Sequence, residues 1–83
     1  MVLGVIAYTL IRAERRRVKE LTGQINKFKF VVEAIPVYGE YDLIVKTKTD
    51  SMKELNSLIY NRLRTISGVL MTTTMITADI DKK

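Results

Sequence analysis

The chain has 83 residues, with 14 Lys and Arg against 9 Asp and Glu for a formal net charge of +5, 47% hydrophobic residues, and no His, Cys or Trp. The missing Cys excludes disulfides, thiolate metal sites and thiol nucleophiles; the missing His removes the usual general base near neutral pH and the commonest nitrogen ligand, so neither an enzyme nor a metal or other cofactor is expected. One Pro and four Gly, with apolar residues along the whole length, exclude a disordered or linker-like chain and leave one small globular domain, 1–83.

A chain this short buries only about 60–65% of the surface that its unfolded form exposes, so with no disulfide or metal the stabiliser to expect is oligomerisation. The apolar run Met1 to Ile11 is shorter than the ~20 residues that span a bilayer, and its positive charges follow it where a signal peptide would carry them in front. It reads as a strand of a cytoplasmic protein with no membrane partner.

Val2 to Ile11, rich in Val, Ile, Tyr and Thr, predicts the first strand. From Ala13 the period changes. Val18, Leu21, Ile25 and Phe28 recur at spacings of three and four and predict a helix to about Lys29, with Arg12, Arg15, Arg16 and Lys19 together on its opposite side and Arg17 flanking them. Phe30 to Tyr38 predicts a second strand, which Pro36 places at a sheet edge or a bulge because it cannot donate to a ladder. Tyr38-Gly39-Glu40 makes the turn into a third strand, Tyr41 to Thr49, with Leu43 and Val45 on one face and Lys46 and Lys48 on the other. Ser51 and Glu54 form a capping box that starts a second helix, whose buried side is Met52, Leu55, Leu58, Ile59, Leu63 and Ile66. Gly68 closes that helix, Val69 to Ile80 is the last strand, and Asp81 to Lys83 is a polar, frayed end.

The order strand, helix, strand, strand, helix, strand predicts a ferredoxin-like α+β fold: a βαββαβ two-layer sandwich with both helices on one face of a four-stranded antiparallel sheet. In the first strand the even and the odd positions are both largely apolar. In the last, Leu70 and Ile76 fall on one face and Val69, Met71 and Met75 on the other. An apolar face left uncovered by the helices predicts two sheets packed against each other in a homodimer; the other reading is small and β-branched residues at the rim of an ordinary monomer.

Three groups of residues could bind something. In the turn, Gly39 can expose backbone N–H groups to a carboxylate and Asp42 can face an ammonium, although a turn glycine and an edge-strand acid would look the same. Thr72 and Thr74 share a face and offer hydroxyls, and cross-strand threonine pairing is equally served by them. The basic helix face could meet phosphates or simply be solvated. Single-stranded RNA binding on the sheet is not supported, since Tyr41 lacks the glycine-aromatic run of such domains. Glu33, Glu40 and Asp42 cluster at the turn without a base, nucleophile or histidine that would make them hydrolytic, and nothing in their spacing requires a metal.

The run Glu33…Val37-x-Gly39-x-Tyr41-Asp42-Leu43, then Asp50-x-x-x-x-Leu55, then Gly68-Val69-x-x-Thr72-x-Thr74 resembles the effector-binding domain of the Lrp/AsnC (feast/famine) transcriptional regulators, also called the RAM domain. The resemblance covers nearly the whole chain. It implies dimers formed by facing sheets, rings that are often octamers (tetramers of dimers), and a free amino acid effector held between dimers, in the service of regulating amino-acid metabolism and transcription. The positions that match the family's pocket are Gly39, Tyr41, Asp42, Thr72 and Thr74. Full-length members carry an N-terminal helix-turn-helix domain, whereas this chain begins at the first strand, so the resemblance implies a stand-alone domain without direct DNA binding that assembles with itself or with a full-length regulator. The leading expectation is a ligand-responsive oligomerisation module; the alternative is a ligand-independent assembly partner, an adaptor, of full-length Lrp/AsnC-type regulators.

Overall fold

The computed structural model describes residues 4–77. Strand β1 (Val5–Ala13) leads through a 3-10 turn, Arg15–Arg17, into helix α1 (Val18–Ile25); strands β2 (Val31–Pro36) and β3 (Leu43–Thr49) form a hairpin; helix α2 (Met52–Asn61) and a second 3-10 turn, Leu63–Thr65, precede strand β4 (Val69–Ile76). The sheet order is β2-β3-β1-β4, with all neighbours antiparallel. This is the expected ferredoxin-like α+β sandwich. The parts of the first and last strands predicted for Val2 to Leu3 and for Ala78 to Ile80, and the frayed end Asp81 to Lys83, lie outside the described residues.

Alternation sets the two faces. Ala7, Thr9, Ile11 and Ala13 of β1 and Leu43, Val45, Thr47 and Thr49 of β3 are buried toward the helices, against Leu21 and Ile25 of α1 and Leu55 and Ile59 of α2. Ser51 caps α2 as predicted, its hydroxyl accepting from the Glu54 amide at 3.1 Å; the return bond runs from the Asp50 amide to the Glu54 carboxylate at 2.8 Å.

The helix expected from Ala13 to Lys29 is shorter at both ends. Arg12 and Ala13 remain in β1, so Arg12 does not share a helix face with Arg15, Arg16 and Lys19; it lies on the sheet opposite Met71. The far end closes at Asn26, whose carboxamide accepts from the Ala34 amide at 2.9 Å and donates to the Ala34 carbonyl at 3.2 Å and the Thr22 carbonyl at 3.1 Å. One side chain thus ends α1 and covers an unpaired stretch of the β2 edge. Pro36 ends β2 at that edge, as the missing donor requires.

A second difference concerns β4. The β1–β4 register shifts between Arg12 and Ala13, where Arg12 faces Met71 but Ala13 faces Val69. This bulge turns Val69 toward the core, against which it packs, whereas plain alternation puts it with Met71 and Met75. Gly68, at φ 101°, leads into that strand; a β-carbon there would lie 3.2 Å from Cδ of Arg17, so both backbone angle and space favour glycine.

Candidate functional site

The turn between β2 and β3 is held by the chain itself. The Val37 amide donates to the Asp42 carbonyl at 2.9 Å and the Asp42 amide to the Ile11 carbonyl at 2.8 Å, while Gly39 takes φ 124°. Asp42 then turns its side chain on β1, where Oδ2 accepts from the Ala13 amide at 2.8 Å. That amide lies at the β1 bulge, so the carboxylate stands in for a missing ladder partner. Oδ1 is left for a second donor. Asp42 therefore has a structural duty that its place at a strand mouth does not announce.

Gly39 and Asp42 line a depression of about 600 Å³ between this turn and α1, together with Val18, Val37, Arg15 and Lys19. Tyr41 does not line it; its ring lies 5.8 Å from the Arg12 guanidinium carbon. The basic cluster is partly neutralised. Arg12 approaches Glu40 at 3.9 Å, Arg16 approaches Glu14 at 3.9 Å, and Arg17 pairs with Glu20 at 3.3 Å while donating to the Ser67 hydroxyl at 3.0 Å. Arg15 and Lys19 are the cations that flank the depression, and neither makes an ion pair among the described residues.

Thr72 and Thr74 are together, as their spacing requires, but elsewhere. They line a separate depression of about 250 Å³ between β4 and α2, with Leu55, Ile59, Tyr60 and Arg64. The Thr74 hydroxyl is 2.9 Å from that of fully buried Thr9, so cross-strand pairing, the structural reading of this residue, is present. Thr72 faces Ile11 across the ladder. Neither depression includes a residue of the other set. A single protomer thus brings Gly39 and Asp42 together, and Thr72 and Thr74 together, without joining the two pairs.

The other sheet face has no helix over it. Ile6, Tyr8 and Leu10 of β1, Ile44 of β3, Ile35 of β2, and Met71 and Met75 of β4 share it by register, and Ile35, Met71 and Met75 are 42%, 51% and 51% exposed. Lys46 lies over the Tyr8 ring at 5.8 Å and faces Glu33. An apolar surface of this kind is what an interface requires. Sequence reasoning did not single out Arg64 and Tyr60, which line the β4 depression, because an aromatic residue near the end of α2 and a charged one in the 3-10 turn after it carry no motif.

Among the described residues there is no group of acids that could hold a metal ion, and no helix is long and apolar enough to cross a membrane.

Comparison with known proteins agrees with the architecture. Residues 6–82 match the family model described as the Lrp/AsnC ligand binding domain. The HTH-type transcriptional regulator FL11 of Pyrococcus furiosus is 30% identical over 96% of this chain and 52% of its own length, so the chain spans about half the length of this curated relative. The crystal structure of the hypothetical protein PHS023 from Pyrococcus horikoshii is 38% identical, with a TM-score of 0.84, and 89% of each chain is covered. A transcriptional regulator of Neisseria meningitidis, solved as a complex with L-Met, shares the fold at a TM-score of 0.82 and 15% identity, covering 95% of this chain and 53% of that one. The curated relatives are named as regulators, a role without catalysis. Fold and matched length agree, and the chain belongs to the Lrp/AsnC family, within which it forms the ligand-binding domain.

Proposed function

We propose that the domain is an amino-acid-responsive assembly module: it binds a free amino acid between protomers and shifts its own oligomeric state. The separation of two half-sites carries this reading. Gly39 and Asp42 offer N–H groups and a carboxylate on one flank, Thr72 and Thr74 offer hydroxyls on another, and among the described residues neither depression takes in both pairs. In this reading a ligand held by both pairs lies between two copies. Backbone amides near Gly39 and the Thr72 hydroxyl then hold the α-carboxylate, and Oδ1 of Asp42 meets the α-ammonium. Thr74 contributes what its bond to Thr9 leaves free. The L-Met complex of the Neisseria meningitidis regulator supports an amino acid as the class of ligand to test first.

The uncovered sheet face supports dimers built by facing sheets, and association of those dimers into rings such as octamers would create the ligand sites. A ligand that bridges dimers favours the assembled state by mass action. The module in turn acts on transcription through full-length regulators rather than by contacting DNA itself; of the basic cluster Arg12, Arg16 and Arg17 have acids within 4.0 Å, and Arg15 and Lys19, unpaired among the described residues, flank the Gly39 depression.

Thermal unfolding with each free amino acid in turn tests the reading. A ligand at 100 times its dissociation constant adds about 2.7 kcal/mol, which for a domain of this size raises the melting temperature by about 10 °C or more. Selective stabilisation by one or a few amino acids is the expected result. No shift with any amino acid would leave the adaptor reading, in which the same apolar face joins the chain to a full-length regulator without a ligand; native mass spectra of the mixture would then contain hetero-oligomers.

A further inference from the structure

The depression between α2 and β4 has a cation that the reading above does not use. Leu63 is fully buried and anchors the 3-10 turn after α2, which directs its neighbour Arg64 outward over β4. The Arg64 guanidinium carbon lies 5.0 Å from the centre of the Tyr60 ring, four residues earlier, and this contact favours that placement of the group without neutralising it. Among the described residues Arg64 has no acidic partner within 4.0 Å. It lines the same depression as Thr72, together with the apolar side chains of Leu55, Ile59 and Ile76.

No acid among the described residues lines that depression. Among the described residues an anionic group therefore meets a guanidinium and a hydroxyl there, an apolar tail meets aliphatic carbon, and an ammonium meets no carboxylate. At about 250 Å³ the space is below the ~300 Å³ at which drug-sized pockets begin. It suits a short acid.

We propose that Arg64 is the carboxylate-recognising residue of this depression, and that one protomer binds short apolar monocarboxylates there, including 2-oxo acids, which are the deaminated counterparts of apolar amino acids. The inference rests on the reading of Thr72 as a ligand contact. It adds that an amino acid and its 2-oxo acid share the Arg64 subsite and differ in their need for Asp42 of a second copy, since only the amino acid carries an ammonium. The domain would then sense the balance between amination and deamination rather than one amino acid alone.

Calorimetric titration of the wild-type chain and of the Arg64→Gln and Asp42→Asn variants tests this, with 4-methyl-2-oxopentanoate, L-leucine, 3-methylbutylamine and inorganic phosphate as probes. The oxo acid binds the wild type and Asp42→Asn alike and binds Arg64→Gln about tenfold more weakly or worse, the loss of one charge-assisted hydrogen bond. The amine does not bind, and phosphate binds less tightly than the oxo acid because it has no tail. Oxo-acid binding that is absent, or undiminished in Arg64→Gln, overturns the subsite. Phosphate binding as tight as that of the oxo acid overturns the apolar-tail assignment. Leucine binding that depends on Asp42 without any oxo-acid binding overturns this inference and leaves the amino-acid reading standing; Arg64-dependent oxo-acid binding with no amino-acid binding does the reverse.

Discussion

Oδ2 of Asp42 accepts the Ala13 amide at 2.8 Å, so the acid proposed to meet the effector also completes the strand ladder at the β1 bulge. The two duties fall on the two carboxylate oxygens, and they predict different behaviour for two substitutions. Asp42→Ala removes both and leaves the half-buried Ala13 amide without its acceptor, at a cost of about 1–3 kcal/mol. Asp42→Asn keeps an acceptor for Ala13 and removes the charge. Urea unfolding should place Asp42→Asn close to the wild type and Asp42→Ala well below it, while stabilisation by amino acids is lost in both. Equal destabilisation of the two variants would contradict the assignment of Oδ2.

Thr9 and Thr74 make a buried pair that is best tested as a pair. Thr74→Val strands the fully buried Thr9 hydroxyl and should cost about 1–3 kcal/mol, whereas Thr9→Val with Thr74→Val replaces both partners by groups of the same shape and should be close to neutral. A double-mutant cycle in urea measures the coupling directly. Additive losses would mean that the 2.9 Å contact carries no stability.

Asn26 ties the end of α1 to the edge of β2 through both polar groups of Ala34. Asn26→Ala should lower stability by about 1–3 kcal/mol, which is a fall in melting temperature of at least 4 °C for a domain of this size. Hydrogen exchange of the Ala34 amide should accelerate more than that of core β3 amides. Unchanged protection at Ala34 would contradict the role of Asn26 as an edge cover.

Much of the architecture was legible in the chain. The Ser51 hydroxyl cap, the edge position of Pro36 and the positive φ of Gly39 and Gly68 each follow from local chemistry, which needs only a few neighbouring residues to act, but Gly68 leads into β4 and does not close α2, which ends at Asn61. Less legible were features that join distant segments. The β1 bulge cannot be read from Arg12 and Ala13, because it depends on where β4 begins, and it reverses the side on which Val69 falls. The Asp42 bond to Ala13 spans 29 residues, and only that bulge creates the need for it. Arg12 looks helical beside Arg15 and Arg16 yet belongs to β1, since the strand's pairing with β4 outlasts its apolar pattern. Of the residues proposed for the site, the closeness of Gly39 to Asp42 and of Thr72 to Thr74 follows from their spacing, whereas the absence of Tyr41 from both depressions and the separation of the two pairs depend on packing between distant segments.

Leu10 lies in an inner strand, on the face that no helix covers. Leu10→Lys places a charge where two sheets would meet and should turn dimers and larger assemblies into monomers in sedimentation velocity, with the secondary structure retained by circular dichroism. Assembly identical to that of the wild type would remove this face from the interface.

The central claim is that each effector site is shared between protomers, and complementation of two inactive chains tests it most directly. Asp42→Asn and Thr72→Val chains are unfolded, mixed in equal amounts and refolded, and calorimetry then counts sites for the amino acid that most stabilises the wild type. Each variant alone should bind weakly or not at all. In the mixture roughly one quarter of the sites pair an intact Asp42 with an intact Thr72 under random association of identical subunits, and these should bind with wild-type affinity. If the mixture binds no better than either variant by itself, both residues serve the same protomer's site or none, and the shared site is wrong.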